Sequence, residues 1–195
     1  GLTGLIIMAT VVVMTISAEL IAPYDPYQQS LRLRHTQPSY GLIENGRILG
    51  TDHVGRDILS RIIYGARISM IVGIGCVLVS GLLGTLIGLV SGFYGGLIGA
   101  LLMRIADIKL AMPMILFAIA WIAFFGPGLV SVIIVIGVWG WVPYARYTRG
   151  TVLYLREALF VQASIAMGAS NSSVMFRHLA PNLLGAISVM AALQL

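Results

Sequence analysis

The sequence predicts an all-α membrane protein whose helices cross the bilayer several times. Apolar residues make up 58% of the 195 residues and charged residues 10%, whereas a soluble domain carries about 25% charged residues. The charges are also segregated, because 2–18, 68–103, 110–145 and 178–195 contain none when His is counted as neutral. The first three intervals are long enough for a spanning helix, which needs roughly 17 to 25 apolar residues.

The first predicted element is an N-terminal transmembrane helix at 2–22. A secretory signal peptide is the alternative, but the apolar run is long for one, lacks a small-residue cleavage site and leads into Pro23. We therefore expect a retained helix.

The connection at 23–67 is predicted to end in a helix that lies at the membrane interface. Asp57 is expected to cap this helix by accepting a hydrogen bond from a first-turn amide. The periodicity predicts one apolar and one polar face. The apolar face would carry Ile58, Leu59, Ile62 and Ile63, and the polar face Ser60, Arg61 and Tyr64.

A core region at 68–195 follows, with predicted spans at 68–92, 99–124 and 128–145. After a connection at 146–181, a further span begins at 182–195 and is too short to cross. Because the chain also starts within an apolar run, we expect it to be a fragment of a longer protein.

The second span carries small residues at a four-residue spacing: Ser80, Gly84, Gly88 and Gly92. Residues at this spacing share one helix face, and small side chains let two helix backbones approach closely. We interpret this face as a helix-packing surface rather than a substrate site. The single cysteine, Cys76, lies in the same apolar run, so no disulfide can form within the chain.

Charge alone does not orient the protein. With alternating spans, six basic residues fall in 23–67 and six on the opposite side. The positive-inside rule therefore leaves both orientations open.

A family resemblance begins in the connection before the second span. The string Gly50-Thr-Asp-His-Val-Gly-Arg-Asp57, continued by Ile58-Leu-Ser-Arg-Ile-Ile-Tyr-Gly-Ala-Arg67, resembles the dipeptide, oligopeptide and nickel branch of the ABC-importer permeases. Further matching strings follow the same order along the chain: Ala22-Pro-Tyr-Asp-Pro26, Phe93-Tyr-Gly-Gly96, Met103-Arg-Ile-Ala-Asp-Ile108 with Pro113, and Gly126-Pro-Gly128. The resemblance implies a fragment of a six-span subunit of the bacterial cytoplasmic membrane, with 23–67 outside and 146–181 in the cytoplasm.

The resemblance also implies that 146–181 is a coupling loop that docks on an ATP-hydrolysing subunit. The family pattern there is Glu-Ala-Ala, a glycine and a closing Leu-Pro. This chain has Gln162-Ala163-Ser164, keeps Gly168, and has Ala180 before Pro181. The predicted docking residues are Glu157, Phe160, Gln162, Ala163, Ser164, Gly168 and Pro181.

The residues of 157–167 leave two alternatives for this short helix. Its predicted apolar face would either dock into a groove of a partner or fold back onto the chain's own membrane domain. The members of that face are Leu159, Phe160, Ala163, Ala166 and Met167. The resemblance favours docking.

The predicted function is therefore that of a permease subunit of an ATP-driven importer for dipeptides or oligopeptides. The resemblance implies a second homologous permease, two ATPase subunits that use ATP and Mg, and an extracytoplasmic solute-binding protein. Nickel or glutathione cargo is an alternative within this class, and an ion-gradient-driven carrier or channel is the alternative outside it.

We expect no enzyme activity, no cofactor and no metal site in this chain. Its three histidines are scattered, and neither H-E-x-x-H spacing nor a Gly-Lys-Ser/Thr phosphate loop is present in the sequence. The dispersed arginines favour contact with membrane lipid over nucleic acid.

Overall fold

A computed structural model describes residues 2–38 and 47–194, and the ordered elements within them are almost all helical. The chain divides into two compact units, Gly1–Ile71 and Val72–Leu195, and one long helix contributes residues to both. The α-helices are α1 (Leu2–Ile16), α2 (Ala18–Ile21), α3 (Ile58–Tyr94), α4 (Gly96–Ala111), α5 (Met114–Phe125), α6 (Leu129–Trp139), α7 (Trp141–Arg156), α8 (Leu159–Ala166), α9 (Asn171–Ser173) and α10 (Ala180–Gln194).

Several of these helices can cross a membrane. In the described residues three stretches have the required length and composition: Ile58–Tyr94, Leu129–Arg156 and Asn171–Gln194. The pair α4 and α5 adds a fourth if it forms one span. The predicted fold class, an all-α protein with several spans, is confirmed.

The first unit begins with α1, an apolar helix with no buried residue. At Ser17 the backbone leaves regular helix geometry, with φ −93° and ψ 14°, before α2 begins. The predicted helix at 2–22 is thus interrupted.

Asp52 organises the loop that contains the Gly50–Asp57 motif. Its Oδ1 accepts hydrogen bonds from the N–H groups of Val54 and Arg56, both at 2.9 Å. Its Oδ2 accepts from Nε of Arg56 at 2.8 Å and from the guanidinium of Arg61. Burial would raise the pKa of the Asp52 carboxyl, but these hydrogen bonds and the charge of Arg56 hold it well below its usual range.

Two glycines in the same loop are required by its backbone. Gly50 has φ 75° and Gly55 has φ 80°, in the left-handed region that glycine adopts without strain. A Cβ atom on Gly50 would collide with the carbonyl oxygen of Thr36, and one on Gly55 with that of Ser30. The glycine spacing of the motif therefore has a local structural cause.

The start of α3 agrees with one prediction and corrects another. Asp57 caps the helix, since its Oδ2 accepts from the N–H of Ser60 at 2.8 Å. Ser60, which was predicted on the polar face, is instead fully buried, while Ile62 of the predicted apolar face is 51% exposed. Ser60 Oγ accepts a hydrogen bond from the N–H of Tyr24 at 3.1 Å, which gives this polar side chain an internal partner.

The predicted interfacial helix and second span are one helix. α3 runs unbroken for 37 residues from Ile58 to Tyr94. The change from polar to apolar residues near Arg67 does not interrupt it, because it removes no backbone donor and introduces no proline.

The third predicted span, 99–124, is bent rather than straight. α4 and α5 meet at an angle of 89°. Met112 is extended at the bend, with ψ 134°, because a residue that precedes proline is excluded from the helical region. Pro113 then lies just before α5.

The remaining helices extend into the region predicted to be a connection. The fourth span continues beyond 145 to Arg156 through α6 and α7. The last helix begins at Asn171 rather than 182, and at 24 residues it is long enough to cross, contrary to the prediction. Pro181 therefore lies inside this continuous helical stretch, as the second residue of α10, and not at the end of a loop.

The second unit is held together by close packing of α3 on α6 and α7. A Cβ atom on Gly88 would stand 2.5 Å from the carbonyl oxygen of Ala145 and 2.7 Å from Cβ of Thr148. The same construction on Gly84 collides with α7, and on Gly92 it reaches within 2.8 Å of Val152. We call this contact the small-residue seam, and it comprises Ser80, Gly84, Gly88 and Gly92 against 140–152.

The seam contains small residues on both sides. Ser80 is buried, and a Cβ atom on Gly140 would lie 3.1 Å from its own Cβ. Similarly, a Cβ atom on Gly137 would lie 2.7 Å from Cβ of Val79. The two backbones therefore approach as closely as glycine permits, which maximises dispersion contacts in a solvent of apolar lipid.

Candidate coupling surface

Helix α8, Leu159–Ala166, is anchored to the second unit by one side. Val161 is fully buried and Ser164 is 6% exposed. Val161 belongs to a cluster of buried residues that comprises Leu89, Val152, Val161, Val174, Met175, Leu179 and Leu183. This cluster also contains residues of α3 and α7, so α8 rests on the same packing that the seam supports.

The other side of α8 is apolar and exposed. Leu159 is 84% exposed, Met167 81% and Phe160 43%. Ala163 and Ala166 are exposed on the same helix. The five residues that the sequence predicted as an apolar face therefore all face away from the chain's own core, although α8 as a whole does pack on that core.

The predicted docking residues do not all share this face. Glu157 and Gln162 are exposed, and Nε2 of Gln162 donates to the carbonyl oxygen of Glu157 at 3.2 Å. Ser164 points inward, and Pro181 lies on α10. The structure therefore leaves Glu157, Phe160, Gln162 and Ala163 exposed, and separates Ser164 and Pro181 from them.

Gly168 ends α8 in a Schellman motif. Its φ is 83°, its N–H donates to the carbonyl oxygen of Ile165 at 2.9 Å, and the N–H of Ala169 donates to that of Ser164 at 3.0 Å. This pair of hydrogen bonds with a left-handed residue between them is a common helix end, and glycine adopts it without a Cβ penalty.

One contact of this region was not anticipated from the sequence. His178 lies in a π-helical turn, Val174–Leu179, and its Nε2 is 3.2 Å from Oγ of Ser164. Sequence reasoning treated His178 as one of three scattered histidines. The two residues are 14 positions apart, so no local pattern pairs them.

The end of α7 is also tied to the end of α3. Arg156 Nη1 donates to the carbonyl oxygen of Phe93 at 3.2 Å. Its Nη2 is 3.6 Å from the carboxylate of Glu157. Val152, one turn earlier, contacts Gly92 of the seam and belongs to the cluster beneath α8. Thus the base of α8 and the seam form one continuous packed region.

Among the described residues, no group of three or more His, Cys, Asp or Glu side chains is arranged to hold a metal ion.

Fold and surface together define a class: a helical membrane protein with several spans that presents a short, anchored helix with an exposed apolar face. Residues 84–195 match the family described as binding-protein-dependent transport system inner membrane component. The chain belongs to this family, and it is a multi-pass protein of the bacterial inner membrane. Residues 1–38 match the N-terminal TM domain of oligopeptide transport permease C.

Individual relatives agree with this assignment. The chain is 40% identical, over 99% of its own length and 64% of the relative's, to a di/tripeptide transport system permease protein of Pseudomonas aeruginosa. It is 37% identical, over 97% of its length and 60% of the relative's, to an oligopeptide transport system permease protein of Bacillus subtilis. A glutathione transport system permease protein of Shigella dysenteriae is 35% identical over 97% of the chain and 61% of the relative. The chain thus spans about three fifths of the length of these relatives.

Proposed function

We propose that the chain is part of a permease subunit of an ATP-driven importer that carries dipeptides or oligopeptides across the inner membrane. The observation that carries the proposal is the exposed apolar face of α8 on a helix that is otherwise anchored. Exposed apolar area of this kind marks an interaction site when it lies on one continuous face, and a short amphipathic helix presented in this way fits a groove of a partner protein.

In this proposal α8 docks on an ATPase subunit, and two such subunits supply ATP and Mg chemistry that the chain itself does not perform. A second homologous permease completes the pathway, and an extracytoplasmic binding protein delivers the peptide. Movement of the docked helix would be transmitted through the cluster at Val152 and Leu89 to α7 and α3. Closely packed helices transmit such displacement because their contacts cannot be compressed.

The names of the relatives favour peptide cargo, since two of the three name peptide transport systems. Glutathione, which the third names, is itself a small peptide and is the second candidate. The family membership disfavours an ion-gradient-driven carrier or channel.

Co-purification of the full-length permease pair with its candidate ATPases tests the proposal. Ala163→Glu places a charge in the centre of the exposed face and is expected to abolish ATPase binding, while Ala163→Ser, a matched change of small size at the same position, is expected to leave it intact. Adding Gly168→Asp to Ala163→Glu should not restore binding. Equal membrane expression of each variant is the control.

The outcomes separate clearly. If the ATPases associate with wild type and with Ala163→Ser but not with Ala163→Glu, the docking surface is the exposed face of α8. If they bind Ala163→Glu as well as wild type, docking occurs elsewhere. If they never bind wild type, the importer assignment is wrong.

A further inference from the structure

The Ser164–His178 contact joins the anchored side of α8 to the helix that follows it. Ser164 Oγ and His178 Nε2 are 3.2 Å apart, and Ser164 is 6% exposed. Among the hydrogen bonds of the described residues, this is the only one between α8 and the stretch 171–194. Its position is therefore suited to set how α8 sits on that helix.

Apolar packing alone does not set this register. Val161 belongs to the same buried cluster as Val174 and Leu179, but apolar contacts of this kind are non-directional. A hydrogen bond weakens steeply when its angle or length changes. The Ser164–His178 pair thus adds a directional restraint to the apolar contacts between α8 and that helix.

The His178 side of the contact is itself held firmly. Its carbonyl oxygen accepts a hydrogen bond from Nδ2 of Asn182 at 2.7 Å, one turn further along. It also lies in the π-helical turn Val174–Leu179. Turns of this kind are rare and occur frequently at functional sites. His178 is consequently attached by its backbone to the start of α10 and by its ring to α8.

Ser164 is also one of the positions at which the chain departs from the family pattern, which has an alanine there. An alanine cannot form this hydrogen bond.

We propose that Ser164 and His178 are positioning residues for coupling: their hydrogen bond locks α8 to the last helix, so that displacement of the docked α8 moves 171–194 with it. This inference rests on the proposed function. Without the bond α8 still docks, but part of its movement is lost as slip between the two helices, and ATP is hydrolysed without peptide import.

The test measures ATP hydrolysed per peptide imported by the complete transporter in proteoliposomes. Loss of one hydrogen bond of ordinary strength changes an equilibrium about five-fold, so we expect Ser164→Ala and His178→Leu each to raise the ratio by about that factor. The double variant should be no worse than either single variant, because both remove the same contact. His178→Gln, whose amide can replace Nε2, should restore the ratio.

Two controls separate coupling from folding. Ser172→Ala removes an exposed hydroxyl of α9, whose contact is with Ser170, and should leave the ratio unchanged. ATPase binding should be equal in all variants, because none of them alters the exposed face of α8.

Additive effects of the two single variants, or wild-type ratios in both, would overturn the positioning role while leaving the importer assignment intact. Loss of ATPase binding in Ser164→Ala would also overturn it, since the bond would then support docking and not transmission. Absence of any ATPase binding by wild type would instead refute the proposed function itself.

Discussion

Replacement of Gly88 by leucine tests the small-residue seam most directly. A Cβ atom there would stand 2.5 Å from the carbonyl oxygen of Ala145 and 2.7 Å from Cβ of Thr148, about 1 Å inside normal van der Waals separation. One obstacle is backbone and cannot rotate away, so α3 and α7 must separate. The remaining atoms of leucine enlarge that separation.

The magnitude follows from two opposing terms. Overpacking of a close-packed interior costs about 1–3 kcal/mol, and the rigid backbone contact places Gly88→Leu near the top of that range. Replacing a helical glycine returns up to about 1 kcal/mol through helix propensity. We therefore expect a net loss of about 2 kcal/mol, which lowers the unfolding midpoint by roughly 4–8 °C for a chain of this size.

Thermal unfolding of the full-length protein in detergent measures this change, and Gly73→Leu is the matched control. Gly73 lies on the same helix, and a Cβ atom on it would have no neighbour within 4 Å, so its replacement should leave the midpoint unchanged or raise it slightly. Equal midpoints for the two variants would show that the seam does not hold α3 against α7 and would refute the reasoning.

Three further outcomes follow from local contacts. The pKa of Asp52 is lowered in the folded state. Its ionised carboxylate therefore stabilises the fold fully above its unfolded pKa of about 4, and this stabilisation is lost as pH falls below that value. Thermal unfolding of the wild type should show this loss, and thermal unfolding of Asp52→Asn should not. Gly168→Ala should lower the stability of the end of α8 by about 1–2 kcal/mol because residue 168 has a positive φ, and Gly168→Asn should lower it less. Amide exchange at Ala169 measures both losses. Equal protection of Ala169 in the two variants would contradict the strain argument. The exposed ion pair between Arg67 and Glu19, 2.7 Å apart, should contribute under about 1 kcal/mol in a double-mutant cycle and less in high salt; a larger, salt-independent value would show that the pair is shielded from solvent.

Several features of the site were predictable because their causes are local. The positive φ at Gly168 and the cap at Asp57 depend on a few neighbouring residues. The exposed residues of α8 were also named from the sequence as an apolar face. Whether that face would turn outward or fold back was open, and the burial of Val161 and Ser164 on the opposite side decided it.

Other expectations failed because they require knowledge of contacts. The burial of Ser60 depends on Tyr24, which lies 36 residues earlier. The contact of Ser164 with His178 likewise joins two elements. The onset of the last helix at Asn171 was missed because its first turns are polar and resemble a loop when read only for hydrophobicity.

The sequence by itself determined that the protein is helical, lies in a membrane and belongs to the family of binding-protein-dependent transport inner membrane components, since hydrophobicity and motif identity are sums over residues that need no knowledge of neighbours in space. Only the tertiary structure decided that α3 is continuous through Arg67, that α4 and α5 meet at 89°, that the small-residue seam faces α7, and that α8 is anchored through Val161 with its apolar face outward. These features depend on which surfaces meet, and a chain can satisfy the same hydrophobic pattern with different pairings until close packing selects one.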